Sequence, residues 1–511
     1  MTQVEAPAAP SAAHNSGGVP LEDVAVGNLE TRCRAAIEAG ARMQFVYAWY
    51  PDGPDSPELR YVLHPVCGEP PRMWRCRPGT QHPPSLAAIA PLLSWHEREV
   101  TDLCGIPFHD QPQPGSHVLL PGARAERPPL LPGPAAPLSY TPEPYSLPEI
   151  SGPSSEDVQL LPFGPVRAGV LESAQFEFFY IGEAILHYHP QLFFKHRGME
   201  KRFEGVSPAL GAVLAERVSG VGSVAHALAY CHALERAAGC EVPRRAAWLR
   251  VLLAELERIY NHLHYLGHLA HTTTLKVGDA EGTYLEELAK QINCRATGSR
   301  FLRSLLAPGG LRQEPLIADL DGPLTRLEQE FQHYADMLES STTHLDRLIT
   351  TGVLEQRVAF DQGATGPVER ASGIDRDPRR DQPYGAYPEL PLQVAVRRGC
   401  DAHARQQVRI AEITHSIALI RAVLAGLPSG SLRAECRPPP GAEGLGWAES
   451  PRGTTYYAVH LDRRGCLARV KIKSPSFSNW RVFAYTVHDS NMMDYAINEA
   501  SFGLTMAGCD R

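Results

Sequence analysis

The sequence predicts an α+β fold in three parts: a small N-terminal α+β domain, a proline-rich strap, and a large, mainly helical domain with minor β-sheet. Three observations predict it. Short apolar runs separated by turn residues fill the first hundred or so positions. Thirteen prolines fall within the 47 residues from Pro107 to Pro153. Beyond them, apolar residues recur at helical spacing over stretches of about 25 residues.

Residues 1–25 are rich in Ala, Pro and Ser and read as a disordered lead-in. They have no basic n-region and no continuous apolar h-region, so they are not a secretory signal. Residues 26–122 form the small domain. A helix is expected over Leu29–Ala41 and strands over Met43–Tyr50, Arg60–His64 and Met73–Arg77, with the turn PDGPDS after the first. Helices are expected at Leu86–Leu93 and Trp95–Leu103. Residues 123–157 form the linker, because such proline density supports neither regular helix nor interior strand. In residues 158–511, Val170–Leu186 reads as a hairpin. Arg245–Ala270, Leu324–Leu348 and Asp401–Leu427 read as long helices with one apolar face. Val459–Lys473, with Asp462-Arg-Arg-Gly465 near its start, reads as a second hairpin.

Charge excludes one class of partner. With 49 basic and 57 acidic residues the net charge is -8, so no general nucleic-acid-binding surface is indicated. The eleven cysteines include no CxxC pair, which argues against a zinc ribbon or a ferredoxin-type cluster held by this chain. Their odd number fits reduced cytoplasmic thiols. No apolar run reaches the roughly 18–20 residues of a membrane span. There is no Walker A string and no convincing GxGxxG. Among His262, His264, His268 and His271 only His264–His268 has i,i+4 spacing, and no HExxH accompanies it, so no metal is expected there.

Ordered strings carry more information. His96-Glu97-Arg98-Glu99, followed by Asp102, Gly105 and His109, reads by itself as a helix end with a solvated charged face. As a string it resembles the 30-kDa (C) subunit of complex I. Residues 196–201 (HRGMEK), 217–222 (RVSGVG) with His226, and 255–262 (ELERIYNH) resemble the complex I 49-kDa (D) subunit and the large subunit of nickel–iron hydrogenases. So do 364–367 (ATGP), 370–373 (RASG), 381–384 (DQPY), Asp401-x3-Arg405-x3-Arg409-x2-Glu412, 450–453 (SPRG) and 473–480 (KSPSFSNW). Nine strings in family order make chance improbable. The joining of both subunit types in one chain most resembles the large subunit of group 4 energy-converting hydrogenases, of the formate hydrogenlyase and hydrogenase-4 kind.

The departures decide the chemistry that the resemblance implies. Hydrogenases hold nickel and iron with four thiolates in two CxxC pairs, because soft bridging sulfur suits those metals. The matching positions here are Ser219 and Gly222 in the first corner and Thr505 and Gly508 in the C-terminal one, with Cys509 one residue off. A Ni-Fe centre is therefore not expected. The quinone-binding residues of complex I also differ. The loop 164–169 (GPVRAG) lacks the family histidine and offers Arg167 instead, and Gly220 stands at the tyrosine position.

What the resemblance retains is a polar frame. Arg217 matches an arginine near the terminal cluster of the neighbouring subunit, His226 a histidine behind the first corner, and Arg452 a cavity-lining arginine. Asp401, Arg405, Arg409 and Glu412 are expected to share a helix face as an ion-pair ladder, and His196 and Glu200 to share another. These six are candidates for coupling. Tyr384 and Tyr387 are expected to pack. The implied partners are a small iron-sulfur subunit resembling the B-type subunit of complex I and bearing a 4Fe-4S cluster, a ferredoxin-like subunit, and antiporter-like membrane subunits. The implied location is cytoplasmic, peripheral on the inner face of the membrane. The implied function is electron transfer from the partner cluster to a quinone or another acceptor, coupled to ion translocation. The alternatives are a non-catalytic scaffold and, last, a hydrogenase with altered ligands.

Overall fold

The computed structural model describes residues 14–16, 19–65, 69–113, 115, 117–120, 122–134, 137–141, 158–167, 172–488 and 490–511. The N-terminal sheet has the order β1-β2-β5-β4-β3: β1 (His14–Ser16), β2 (Val19–Asp23), β3 (Arg42–Trp49), β4 (Glu58–His64) and β5 (Arg72–Cys76). All pairs are antiparallel except β2 with β5. The expected lead-in is thus corrected. Val19 and Leu21 are buried and fasten Val19–Asp23 to the sheet as a strand, so the small domain starts before residue 26. Helix α1 (Leu29–Glu38) covers part of this domain. Of the two helices expected at 86–103, the first is reduced to turns and a single 3-10 turn, Pro91–Leu93, and the second is α2 (Ser94–Cys104), ended by Gly105 at φ +75°.

Strand β3 explains how the two domains share their cores. Phe45 and Tyr47 point into the core of the large domain, whereas Val46 and Ala48 point into the core behind the small one. A bulge between Met43 and Phe45 inserts one residue, which puts Met43 on the face of Val46 and Ala48. The seam is therefore a packed interior rather than a surface contact.

From residue 105 to 141 the described chain contains no helix. It carries the small hairpin β6 (Ala123–Ala125) and β7 (Leu138–Tyr140). Leu130 is buried, its N–H bonds Leu103 O, and Lys201 Nζ holds Leu131 O at 2.8 Å. The segment thus bridges both domains. Residues 142–157 lie outside the described set.

The large domain opens with the sheet β10-β9-β8: β8 (Gln159–Phe163), β9 (Gln175–Ile181) and β10 (Ala184–Gln191). The short helices α3 (Met199–Arg202) and α4 (Pro208–Ala215) precede α5 (Ser223–Ala238), α6 (Arg244–Thr272) and α7 (Lys276–Thr297). Helix α6 is buried nearly all round, which its weak amphipathicity allows. The two-residue strands β11 (Leu306–Ala307) and β12 (Gly310–Leu311) lead to α8 (Asp321–Ser340) and α9 (Thr342–Leu348), which break at Ser341 the single helix expected there. Short helices α10 (Gln356–Asp361), α11 (Pro367–Ala371) and α12 (Pro378–Asp381) precede α13 (Ala402–Gly426). A three-stranded sheet, β13 (Glu443–Ser450), β14 (Gly453–Leu461) and β15 (Leu467–Lys473), packs on α5. Helices α14 (Pro475–Phe483), α15 (Tyr495–Phe502) and α16 (Met506–Asp510) close the chain. Among the described residues no helix is long and apolar enough to cross a membrane.

Candidate functional site

Strings far apart in sequence converge on Arg452, in the turn between β13 and β14. Here the backbones of Gly366 and Gly453 touch, and a Cβ on Gly366 would overlap Gly453 Cα, so the ATGP and SPRG strings need glycine at this contact. Asn479 ties the two strings together. Its Oδ1 accepts from Thr365 N (3.0 Å) and its Nδ2 donates to Thr365 O (3.1 Å) and Arg452 O (3.3 Å). The Arg452 guanidinium donates to Gly503 O (2.8 Å) and Asn261 Oδ1 (2.6 Å), and Asn261 Nδ2 donates to Val221 O (2.8 Å). A hydrogen-bonded chain thus runs from the first corner through α6 to the C-terminal corner. Arg197 closes the other side by donating to Arg217 O (3.1 Å), Val218 O (2.5 Å) and Ala507 O (2.9 Å). Burial pushes the Arg452 guanidinium down to about 10, still charged at neutral pH.

The four positions matched to hydrogenase ligands flank this hydrogen-bonded chain. Gly222 N bonds Ser219 O at 3.0 Å in the turn that leads into α5. Thr505 caps α16, its Oγ1 accepting from Gly508 N and lying 3.2 Å from Ser476 Oγ. Glu172 takes the next free N–H groups, Met506 (2.5 Å) and Ala507 (3.0 Å). Cys509 is wholly buried in the core and burial raises its thiol well above the usual range. Two hydroxyls and two glycines cannot replace four thiolates, so the donor set does not fit a nickel–iron centre.

The remaining candidates fall unevenly. His226 is buried behind Gly222 with Nδ1 2.9 Å from Tyr457 OH, and burial pushes it down to about 3, so it is neutral. Arg217 is exposed beside Glu216 (3.2 Å). Gly220 O receives Arg303 Nη2 at 3.4 Å. Arg303 escapes sequence reasoning, since it lies in a loop with no local signal, yet with Arg197 and Arg217 it forms a cationic rim. Arg167 does not stand free for a head-group. Its Nη1 lies 2.9 Å from both Glu499 oxygens and the guanidinium covers the Phe176 ring at 4.8 Å.

The expected ladder on α13 does not form either. Asp401 is the N-cap of α13, accepting from Ala404 N (2.8 Å) and Thr350 N (2.9 Å). Arg405 donates to Ser501 Oγ and Gly352 O, and Arg409 to Phe502 O while stacking on Tyr265 at 3.7 Å. Among the described residues neither arginine pairs with a carboxylate. Only Glu412 is in an ion pair, and its partners lie on other elements: Arg370 (2.6 Å), His262 Nε2 (2.8 Å) and Arg258 (3.3 Å). From there the network spreads. Arg370 reaches Glu449 (3.1 Å) and Asp377 (3.3 Å), and Arg379 joins Asp377 (2.7 Å) to Glu255 (3.2 Å). Tyr387, expected to pack, donates to Glu255 at 2.6 Å. Four carboxylates thus face three guanidinium groups, all buried. The excess charge is relieved at Glu449, which burial pushes up to about 7.

A second buried network occupies the domain seam. Helix α2 does not present a solvated face: His96, Glu97 and Glu99 are buried. Glu99 pairs with Lys471 (2.6 Å) and Arg511 (2.9 Å), and Glu200 with Arg469 (2.8 Å), Lys471 (3.2 Å) and Arg511 (3.2 Å). His196 and Glu200 do not share a helix face, because α3 starts only at Met199. His196 Nδ1 lies 2.7 Å from Asp510 O instead. The cations that sequence reasoning misses do have a signal, the alternation Arg469-Val-Lys471-Ile-Lys473, which puts all three on one face of β15. Lys473 lines a seam cavity of about 30 Å³, room for a water, and reaches Gln44 Oε1 at 3.2 Å.

Comparison with known proteins matches this organisation. The family profile for the respiratory-chain NADH dehydrogenase 49 Kd subunit matches residues 285–443 and 431–511. That for nickel-dependent hydrogenase matches 197–299, and that for the respiratory-chain NADH dehydrogenase 30 Kd subunit matches 42–131. Formate hydrogenlyase subunit 5 of Escherichia coli is 31% identical over 80% of this chain and 74% of its own length. The C/D-type NADH-quinone oxidoreductase subunit of Rhodopseudomonas palustris is 28% identical over 84% and 82%, and hydrogenase-4 component G of E. coli 30% over 80% and 72%. A chain of the membrane-bound sulfane sulfur reductase, an archaeal respiratory membrane complex, superposes with TM-score 0.63 at 26% identity, covering 70% of this chain and all of that one. The chain therefore belongs to the family of the complex I 49-kDa subunit and the nickel-dependent hydrogenase large subunit, joined to a 30-kDa-type domain, and is a complex I-like oxidoreductase subunit.

Proposed function

We propose that this chain is the electron-transfer core of a membrane-associated complex, passing electrons from a partner's 4Fe-4S cluster to a quinone or another acceptor beside Arg452, coupled to ion translocation. The observation that carries it is the convergence of both corners on Arg452 beneath the cationic rim of Arg197, Arg217 and Arg303. The exposed guanidinium groups of Arg197 and Arg217 suit a partner carrying an anionic cluster, and a half-buried, charged Arg452 suits an acceptor that becomes anionic on reduction. The chain holds no redox centre of its own in this reading. Its partners are a small iron-sulfur subunit of the complex I B type, a ferredoxin-like subunit and antiporter-like membrane subunits, which fix it to the cytoplasmic face of the membrane. Its relatives are named as subunits or components of larger complexes, which supports an assembly with partner subunits.

A second reading, a coupling scaffold without substrate, is favoured by the Arg167–Glu499 pair and by the Thr505–Ser476 contact, which engage those groups within the chain. A hydrogenase with altered ligands ranks last, on the donor set. Quinone-reductase activity of the intact complex, compared with Arg452→Ala, separates the readings. Electron transfer predicts a fall of about 10- to 100-fold, the worth of a charge-assisted hydrogen bond. Full activity in that variant removes Arg452 from the site, and no activity in the wild type supports the scaffold.

A further inference from the structure

The far end of α5 holds a groove that this function does not use. It lies between the C-terminal half of α5, the start of α6 and the turn around Tyr384, with a volume of about 620 Å³. Cavities that hold small organic ligands span roughly 300–1,000 Å³. At 1.5 Å per residue, His232 is about 15 Å along the helix from Gly222, so the groove is separate from the corner.

Two polar side chains in its lining have capacity to spare. Arg236 places its guanidinium 3.7 Å over the Trp447 ring and donates to Leu445 O at 2.9 Å. Among the described residues no carboxylate is within ion-pair distance of it. Its neighbour Glu235 is committed to Arg250 (2.6 Å) and Gly309 N (2.8 Å), and Glu241 in the lining makes no pair with it. His232 meets Trp447 O through Nδ1 at 2.9 Å, and burial holds the ring neutral, down to about 4. Nδ1–H is then the donor and Nε2 the ring's acceptor. The Tyr384 ring lies 5.1 Å from His232, and Leu228, Ala247 and Val251 supply apolar wall.

We propose that this groove binds a small organic anion with a flat apolar body and a hydroxyl group. The anion pairs with Arg236, the hydroxyl donates to His232 Nε2, and the body lies against Tyr384 and the aliphatic wall. Desolvation beside Trp447 makes a charge-assisted bond from Arg236 the main source of affinity.

The probe is 6-hydroxy-2-naphthoate, titrated by fluorescence anisotropy into the full chain and into the intact complex. Saturable binding of one probe per chain is expected, with 2-naphthol, which lacks the carboxylate, weaker by about tenfold or more. Arg236→Gln lowers probe affinity to the naphthol level, and Ala247→Trp, which fills the groove, abolishes binding. If Arg236→Gln does not fold, the naphthoate-to-naphthol ratio and Ala247→Trp decide. Absence of saturable binding, equal affinity for both compounds, or unchanged binding in Ala247→Trp overturns the proposal. So does binding by the isolated chain that vanishes in the complex, which would assign the groove to a partner's polypeptide.

Discussion

Helix α6 serves two sites built on opposite terms. Asn261 turns to the Arg452 corner, where the charged groups meet backbone and amide partners rather than one another. Glu255, Arg258 and His262, on the same helix, turn to a network in which charge faces charge at hydrogen-bond distances. The difference is in what each can lose. A corner held by amides, hydroxyls and carbonyls does not depend on thiolates at the positions of Ser219, Gly222, Thr505 and Gly508. A buried network cannot lose one member without stranding the others in a low-dielectric interior.

The most damaging test of that contrast is Arg370→Ala. It leaves Glu412, Glu449 and Asp377 without their shared partner, and is expected to cost about 3–5 kcal/mol in urea unfolding. A loss below about 1 kcal/mol, typical of surface pairs, would contradict it.

Lys473 tests the seam by pH. Burial lowers its ammonium from the ordinary 10.5 to about 7. Between those values the unfolded chain binds more protons than the folded one, so stability from this group rises with pH from about 7 and is complete above 10.5. Lys473→Met should therefore be more stable than wild type at pH 7 and lose that advantage steadily as the pH rises toward 10.5. Parallel pH profiles would show that the lysine is hydrated.

Arg452→Ala sits lower on the stability scale and higher on the functional one, losing quinone reduction at near-normal folding. The smallest effect on folding is expected for Arg217→Ala. Its side chain is 46% exposed, so stability should change by less than about 0.5 kcal/mol. Its effect should emerge in docking of the iron-sulfur partner, measured by co-purification at raised salt. Undiminished docking would remove Arg217 from the rim.

The two sites are also unequally legible in the sequence. Long helices such as α6 and α13 are readable because one element carries its own period, and strands β3 to β5 because alternation and turns bound them. The corner is readable only as ordered strings, whose convergence needs the tertiary contacts of Asn479 and Asn261. Spacing misleads on α13. Asp401, Arg405, Arg409 and Glu412 do recur along one helix, but a side chain buried between elements takes its partner from whatever packs opposite, here Arg370 and the α15 carbonyls. The seam is half legible. Glu99 reads as solvated because helix α2 alone cannot reveal that β15 covers it with Lys471.

The proposed function has electron transfer at the corner rest on its own side chains and a partner's cluster rather than on a nickel–iron centre of this chain. Metal analysis of the purified, active complex tests this most directly. Iron and acid-labile sulfide from partner clusters are expected, with no stoichiometric nickel. One nickel per chain, retained after chelator washing, would contradict it and bring Cys509 and the C-terminal corner into the ligand set.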